Sequence, residues 1–286
     1  MPHISNKEHF IDTPSGVTIY AVEKRLSNAI PRRAVLLIHG SGVGYACWDI
    51  EIKDYSLMEF LAGEGWDVFA VDLRGYGRST KSDEMDVTLE PTTDDLKSVI
   101  EFIRNLRGIE TVDVIGHSRG GMIATMLAGK YSDYVGGIVL IGTPYRMLNP
   151  YYQSMLNKQL ELNKVGYSPN LHHREIEKML CSYEPEVANA YRAMNDRLYP
   201  ELPEGIRLDL RLLSHAKYIP AIANPTLLIN GTLDGVIIPD DAMKCLNDLT
   251  AKQKALLFVG NCGHHLYLEE IGHRIVHETI LAWLRE

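Results

Sequence analysis

The sequence predicts an α/β protein built on a mostly parallel sheet with helices on both faces. Apolar, β-branched runs alternate with helical stretches along most of the chain, as in strand–helix–strand units that close into a parallel sheet. Runs such as Ala34–Ile38 and 137–141 are apolar at nearly every position, as strands covered on both faces require. The alternation stops at Tyr145, where no strand is legible, and resumes after Ile219. The chain therefore divides into a core of residues 1–144 and 220–286 and an inserted helical cap, 145–219.

Residues 9–12 and 17–22 read as an opening antiparallel pair, turned at Pro14-Ser15-Gly16. Ala34–Ile38 is a central strand; helix 55–63 and strand Asp67–Val71 follow. Residues 91–107 form an amphipathic helix with Pro91 at its start and Gly108 at its stop. Strand 111–115 leads into Gly116-His117-Ser118-Arg119-Gly120, the run 121–128 reads as a helix, and strand 137–141 comes next. Beyond the cap lie strand 226–230, helix 240–249, strand 255–259 and helix 271–284. The cap is polar and rich in tyrosine and methionine, including Tyr145, Met147, Tyr151, Tyr152, Met155, Tyr191 and Tyr199. These residues suit either an adaptable pocket for a bulky substrate or a small core of the cap's own.

A formal net charge of −8 over 286 residues, with 23% charged and 45% hydrophobic residues, is that of an ordinary globular protein. It offers no basic face for nucleic acid. No stretch is apolar for long enough to span a bilayer, and the first residues lack the apolar region of a signal peptide. No membrane partner is expected. The four cysteines are scattered without a C-x-x-C pair, which predicts free thiols in a reducing cytoplasm. Cys262, in Asn-Cys-Gly beside two histidines, reads as packing. Oligomeric state is not legible.

The pentapeptide Gly116–Gly120 reads G-x-S-x-G between a strand and a helix, the setting of a nucleophile elbow. Flanking glycines relieve the strained turn, and the helix N-terminus that follows aims N–H groups at negative charge. A serine hydroxyl is a weak nucleophile near neutral pH, so a base must take its proton and an acid must orient the base. Both belong at strand ends on the same sheet edge. Asp234, in the loop after strand 226–230, is the candidate acid; Asp240 and Asp241 are rivals, and N-capping of the helix after Pro239 accounts for at least one of them. His264, in Gly260-Asn261-Cys262-Gly263-His264-His265 after the last strand, is the candidate base and His265 its competitor. His117 neighbours the serine, but the turn should point it away. The oxyanion hole falls to the N–H groups of Arg119 and Ser41, with Gly42 the rival for the second, because the glycines of His39-Gly40-Ser41-Gly42-Val43-Gly44 permit close backbone approach. No cofactor and no metal is called for.

With these residues in place the chain resembles the α/β-hydrolase fold superfamily, and its cap-bearing, esterase-like members in particular. The matching pieces are His39-Gly40, Asp72-Leu73-Arg74-Gly75-Tyr76-Gly77-Arg78-Ser79, Gly116–Gly120, Gly231–Asp234 and Gly263-His264, with the order nucleophile, acid, histidine. The resemblance implies an eight-stranded sheet, a helical lid after the sixth strand, and a structural role for residues 72–79. The family's dehalogenases and epoxide hydrolases carry aspartate as nucleophile and its dienelactone hydrolases cysteine; here the position is Ser118. The expected activity is hydrolysis of a small-molecule carboxylic ester or lactone, a bulky one, through an acyl-enzyme. The alternatives are carbon–carbon, thioester or aminoacyl amide cleavage by the same residues, or a small-molecule receptor without activity.

Overall fold

A computed structural model describes residues 3–27, 33–81, 87–161 and 166–286. Ten strands and eight α-helices are seen among them. Eight of the strands form one sheet in the order β1-β2-β4-β3-β5-β6-β9-β10. These are β1 (Ile4–Asp12), β2 (Thr18–Leu26), β3 (Ala34–Ile38), β4 (Asp67–Val71), β5 (Val112–His117), β6 (Val135–Ile141), β9 (Thr226–Gly231) and β10 (Lys254–Val259). β1 pairs antiparallel with β2, and β2 with β4; every later pairing is parallel. The register sets Ile38 against Gly116, His117 against Ile141, Ile141 against Ile229 and Gly231 against Val259. Five strand ends therefore share one edge, and the loops leaving them are neighbours.

Side chains alternate across the sheet. On one face Leu36, Ile38, Val114, Leu140 and Leu228 are buried under α2 (Leu89–Arg107) and α3 (Arg119–Lys130), which contribute Val99, Ile103, Met122 and Met126. On the other, Val35, Leu37, Ile115, Val139 and Ile229 meet α1 (Leu57–Gly63) and α8 (Gly272–Arg285) through Leu57, Leu61, Val276 and Ile280. α2 begins at Leu89, two residues before the expected Pro91, which sits in the first turn where a missing N–H costs no helical bond. Ser56 caps α1 by accepting from the Glu59 N–H at 3.0 Å, and Gly108 ends α2 in the left-handed region, φ 64°.

Between β6 and β9 run α4 (Pro150–Glu161), β7 (Tyr167–Pro169), the 3₁₀ turn His172–Lys178, α5 (Pro185–Leu198), β8 (Glu201–Pro203), α6 (Ile206–Leu212) and the 3₁₀ stretch Ser214–Ala221. The segment is mostly helical, but β7 and β8 pair as a small antiparallel ribbon, Tyr167 opposite Pro203. Three-residue strands ending in proline carry too little alternation to be read from sequence. The final 3₁₀ stretch crosses residue 219, and Ile219 and Ile222 pack into the core on the α3 side. α7 (Pro239–Asp248) begins at Pro239, but neither aspartate of its first turn caps it with a side chain. Asp241 instead is buried and accepts from the N–H groups of Tyr145, Arg146 and Met147 at 2.7, 2.9 and 3.0 Å. The N-capping expectation is corrected for this residue: its carboxylate grips the start of the inserted segment, whose backbone donors it satisfies. No helix among the described residues is long and apolar enough to cross a membrane.

Candidate active site

Ser118 sits between β5 and α3 with φ 52° and ψ −116°, a strained backbone for a non-glycine residue. The strain is held by backbone contacts on either side. A Cβ at Gly116 would stand 2.3 Å from the Gly120 carbonyl oxygen, and one at Gly120 would stand 2.2 Å from that of Ile38. Both glycines of the pentapeptide are thus required by close approach. The Ser118 N–H donates to the Ile141 carbonyl at 2.8 Å, and its own carbonyl accepts from Gly121 N–H at 3.0 Å. A trans peptide holds C=O and N–H on opposite sides, so the Arg119 N–H points out of the helix N-terminus. Among the described residues the Ser118 hydroxyl makes no hydrogen bond, and unliganded sites often tighten this contact only around substrate.

Asp234 and His264 are brought together from the loops after β9 and β10. His264 Nδ1 lies 2.9 Å from Asp234 Oδ2, and the other carboxylate oxygen accepts from Val236 and Ile237 N–H at 2.7 and 3.0 Å. Burial pushes the Asp234 pKa up; the His264 charge and hydrogen bond and the two backbone donors outweigh it and hold the group below the usual carboxylate range. Two glycines make room. A Cβ at Gly231 would meet the Cys262 carbonyl oxygen at 2.2 Å, and one at Gly142, φ 51°, would stand 3.1 Å from His264 Nδ1. The His264 ring therefore lies against the end of β6, beside the strand that carries the elbow.

The rivals fall elsewhere. His265 Nδ1 pairs with the Tyr267 hydroxyl at 3.2 Å rather than with Asp234. His117 turns from Ser118 and donates from Nε2 to the His264 carbonyl at 3.0 Å, its ring 4.8 Å from that of His264. Burial brings its pKa down to about 3, so it is neutral and serves as a brace. Cys262 is buried and its thiol is pushed up to about 12, chiefly by desolvation, which suits packing. Glu269 went unread in the sequence: fully buried, it accepts from Gly263 N–H at 2.6 Å and from Ser182 N–H at 3.3 Å. It ties the His264 loop to the inserted segment. Nothing local distinguishes it from a surface glutamate.

Three consecutive carbonyls of the loop after β3 are each taken by a side chain. Gly40 accepts from His39 Nδ1 at 2.7 Å, Ser41 from the Tyr76 hydroxyl at 2.7 Å, and Gly42 from Asn170 Nδ2 at 3.0 Å. His39 completes its bonding by accepting Leu73 N–H at Nε2, 3.0 Å, and burial lowers its pKa to about 3. Each of these peptide planes holds its N–H opposite its bonded carbonyl, and neither the Ser41 nor the Gly42 N–H donates to an acceptor among the described residues. Asp72, in the run 72–79, is structural: it accepts from Tyr45 N–H, Arg78 N–H and the Tyr199 hydroxyl, each at 3.0 Å.

An elbow serine, a carboxylate–imidazole pair and free N–H donors on one sheet edge are the parts of nucleophilic acyl transfer. Comparison with known proteins places the chain in a class. Residues 33–271 match the α/β hydrolase fold family, and the chain belongs to it. It is 27% identical over 263 residues to a monoacylglycerol lipase of Mycolicibacterium smegmatis, spanning 89% of this chain and 88% of that one. It is 25% identical over 244 residues to a 2-hydroxymuconate semialdehyde hydrolase of a Pseudomonas species, spanning 82% and 81%. A thermophilic esterase of Thermogutta terrifontis superposes with a TM-score of 0.73 over 98% of both chains at 24% identity, a likeness of fold.

Proposed function

We propose that this protein is a serine hydrolase that cleaves a carboxylic ester or lactone through an acyl-enzyme. The observation that carries the proposal is the Asp234–His264 pair, 2.9 Å apart, on the sheet edge that presents Ser118 on its strained turn. His264 takes the Ser118 proton as the hydroxyl attacks the carbonyl carbon. The N–H groups of Arg119 and Ser41 receive the oxyanion, with Gly42 the alternative to Ser41; one such donor is worth about 10²–10³ in rate. His264 then protonates the leaving alcohol and activates water for deacylation, while Asp234 keeps its tautomer.

Residues 145–219 act as a cap over this edge. The reading is supported by the anchoring of the segment's start on Asp241 and of Ser182 on Glu269, beside the His264 loop. Tyr145, Tyr191 and Tyr199 are buried, Tyr145 and Tyr199 bonded to Asp248 and Asp72, and Tyr151 is largely exposed. They pack or face solvent and do not speak for a large pocket. Tyr152 is partly buried and packs against the core cluster that holds α2 and α3. A bulky acyl or alcohol part is proposed to bind beneath residues 145–219. Buried free thiols at Cys47, Cys245 and Cys262 suit a cytoplasmic setting.

The test is a screen of esters and lactones beside Ser118→Ala. The variant should lose activity by about 10⁴-fold or more on the best substrate, and retention of the full rate would reject the mechanism. Likeness to the semialdehyde hydrolase supports carbon–carbon cleavage as the second reading; turnover of a vinylogous diketone at a higher kcat/KM than any ester would favour it.

A further inference from the structure

The residue after the elbow serine, Arg119, has a fully buried side chain. Its Nε donates to Asp209 Oδ2 at 3.0 Å and its Nη2 to the Val87 carbonyl, while Asp209 Oδ1 accepts from Leu89 N–H at 3.0 Å. Asp209 lies on α6, within the inserted segment. Asn170, also in that segment and 2% exposed, donates from Nδ2 to the carbonyls of Gly42 and Tyr199 at 3.0 and 2.9 Å. One residue of the inserted segment thus holds each of the two backbone stretches that carry the oxyanion donors.

A buried ion pair is a poor source of stability, because desolvation offsets most of its attraction and an apolar pair of similar volume does as well. It does supply direction: two charged partners with their remaining donors and acceptors satisfied fix position more tightly than apolar packing. We propose that Asp209 and Asn170 are positioning residues for the oxyanion hole, Asp209 acting through the Arg119 side chain and Asn170 through the Gly42 carbonyl. The inserted segment then sets the catalytic geometry of the core as well as covering it. The inference rests on the serine-hydrolase reading above.

The test counts competent active sites by fluorophosphonate labelling of Ser118 taken to completion, then measures kcat per labelled site on 4-nitrophenyl butyrate. Asp209→Asn should lower kcat per site about 10- to 100-fold, as small misplacements of a catalytic group do. KM should stay within about threefold, and inhibition by phenylboronic acid, whose tetrahedral adduct fills the same hole, should weaken in parallel with kcat. Asn170→Ala should show the same pattern with a smaller loss. An unchanged kcat per site with only a lowered melting temperature would overturn the positioning role. If Asp209→Asn does not fold, Arg119→Met with Asp209→Leu leaves no lone buried charge and carries the same expectation and the same overturning result. Wild-type protein that resists labelling, or Ser118→Ala at full rate, would instead reject the nucleophile and this proposal with it, a failure distinct from unchanged kinetics at Asp209.

Discussion

The two halves of the site are held by different forces. The elbow half is held by steric contact: Gly116 and Gly120 let backbone approach backbone so closely that a Cβ at either would overlap a carbonyl, at 2.3 and 2.2 Å. The acid–base half has one such contact, Gly231 against the Cys262 carbonyl at 2.2 Å, but its carboxylates are placed by side-chain hydrogen bonds, from Val236 and Ile237 N–H to Asp234 and from Gly263 N–H to Glu269. Repulsion is steep and short-ranged, so the elbow tolerates no added atom. Hydrogen bonds can be removed singly, each at modest cost, so the acid–base half should degrade in steps and lose chemistry before it loses structure.

The largest expected effect comes from Asp234→Asn. An amide there offers an N–H to Nδ1 and favours the wrong tautomer, which in Ser-His-Asp enzymes costs about 10⁴ in kcat. The kcat/KM on 4-nitrophenyl butyrate should fall by that order while the thermal midpoint moves only a few degrees; a loss below tenfold would remove Asp234 from the reaction. Gly120→Ala probes the other half. The new methyl meets the Ile38 backbone and cannot be relieved by a side-chain rotation, so it should cost about 3 kcal/mol, read from the urea midpoint. Wild-type stability in this variant would contradict the steric account. Glu269→Gln should cost about 1–3 kcal/mol, since two N–H groups lose a charged acceptor, and should lower kcat/KM less than Asp234→Asn. The opposite ranking would make Glu269 the more important carboxylate.

The last prediction concerns pH and lies outside the site, so activity should change least there. His277 is buried, with Nε2 unpartnered among the described residues and its ring 5.1 Å from Phe60. Burial brings its pKa down to about 3 from an ordinary 6.5. Below about pH 6.5 the unfolded chain binds a proton that the folded chain refuses, so stability falls as pH drops from 6.5 towards 3, by up to about 1.4 kcal/mol per pH unit. His39 and His117, also near 3, act in the same direction. His277→Phe should flatten the stability–pH curve between pH 6 and 4 by the equivalent of one proton. An unchanged slope would mean that His277 does not titrate on unfolding.

The strand–helix alternation, the elbow and the loops holding Asp234 and His264 were legible because each is written in neighbouring residues: apolar runs, turn glycines and a serine between a strand and a helix. Residue order along a parallel sheet also fixes which loops share an edge, and that was enough to pair two loops 30 residues apart. The ribbon of β7 and β8, the reassignment of Asp241 to the start of the inserted segment, Glu269, Asn170 and the Arg119–Asp209 pair were not legible. These contacts join residues as far as 128 positions apart, and each side chain on its own resembles any surface polar group. By itself the sequence determined the fold class, the turn at Ser118 and the two loops that bring Asp234 to His264, since periodicity and turn chemistry are local. Only the tertiary structure decided which buried polar groups meet, because desolvation makes a partner obligatory and packing alone chooses it.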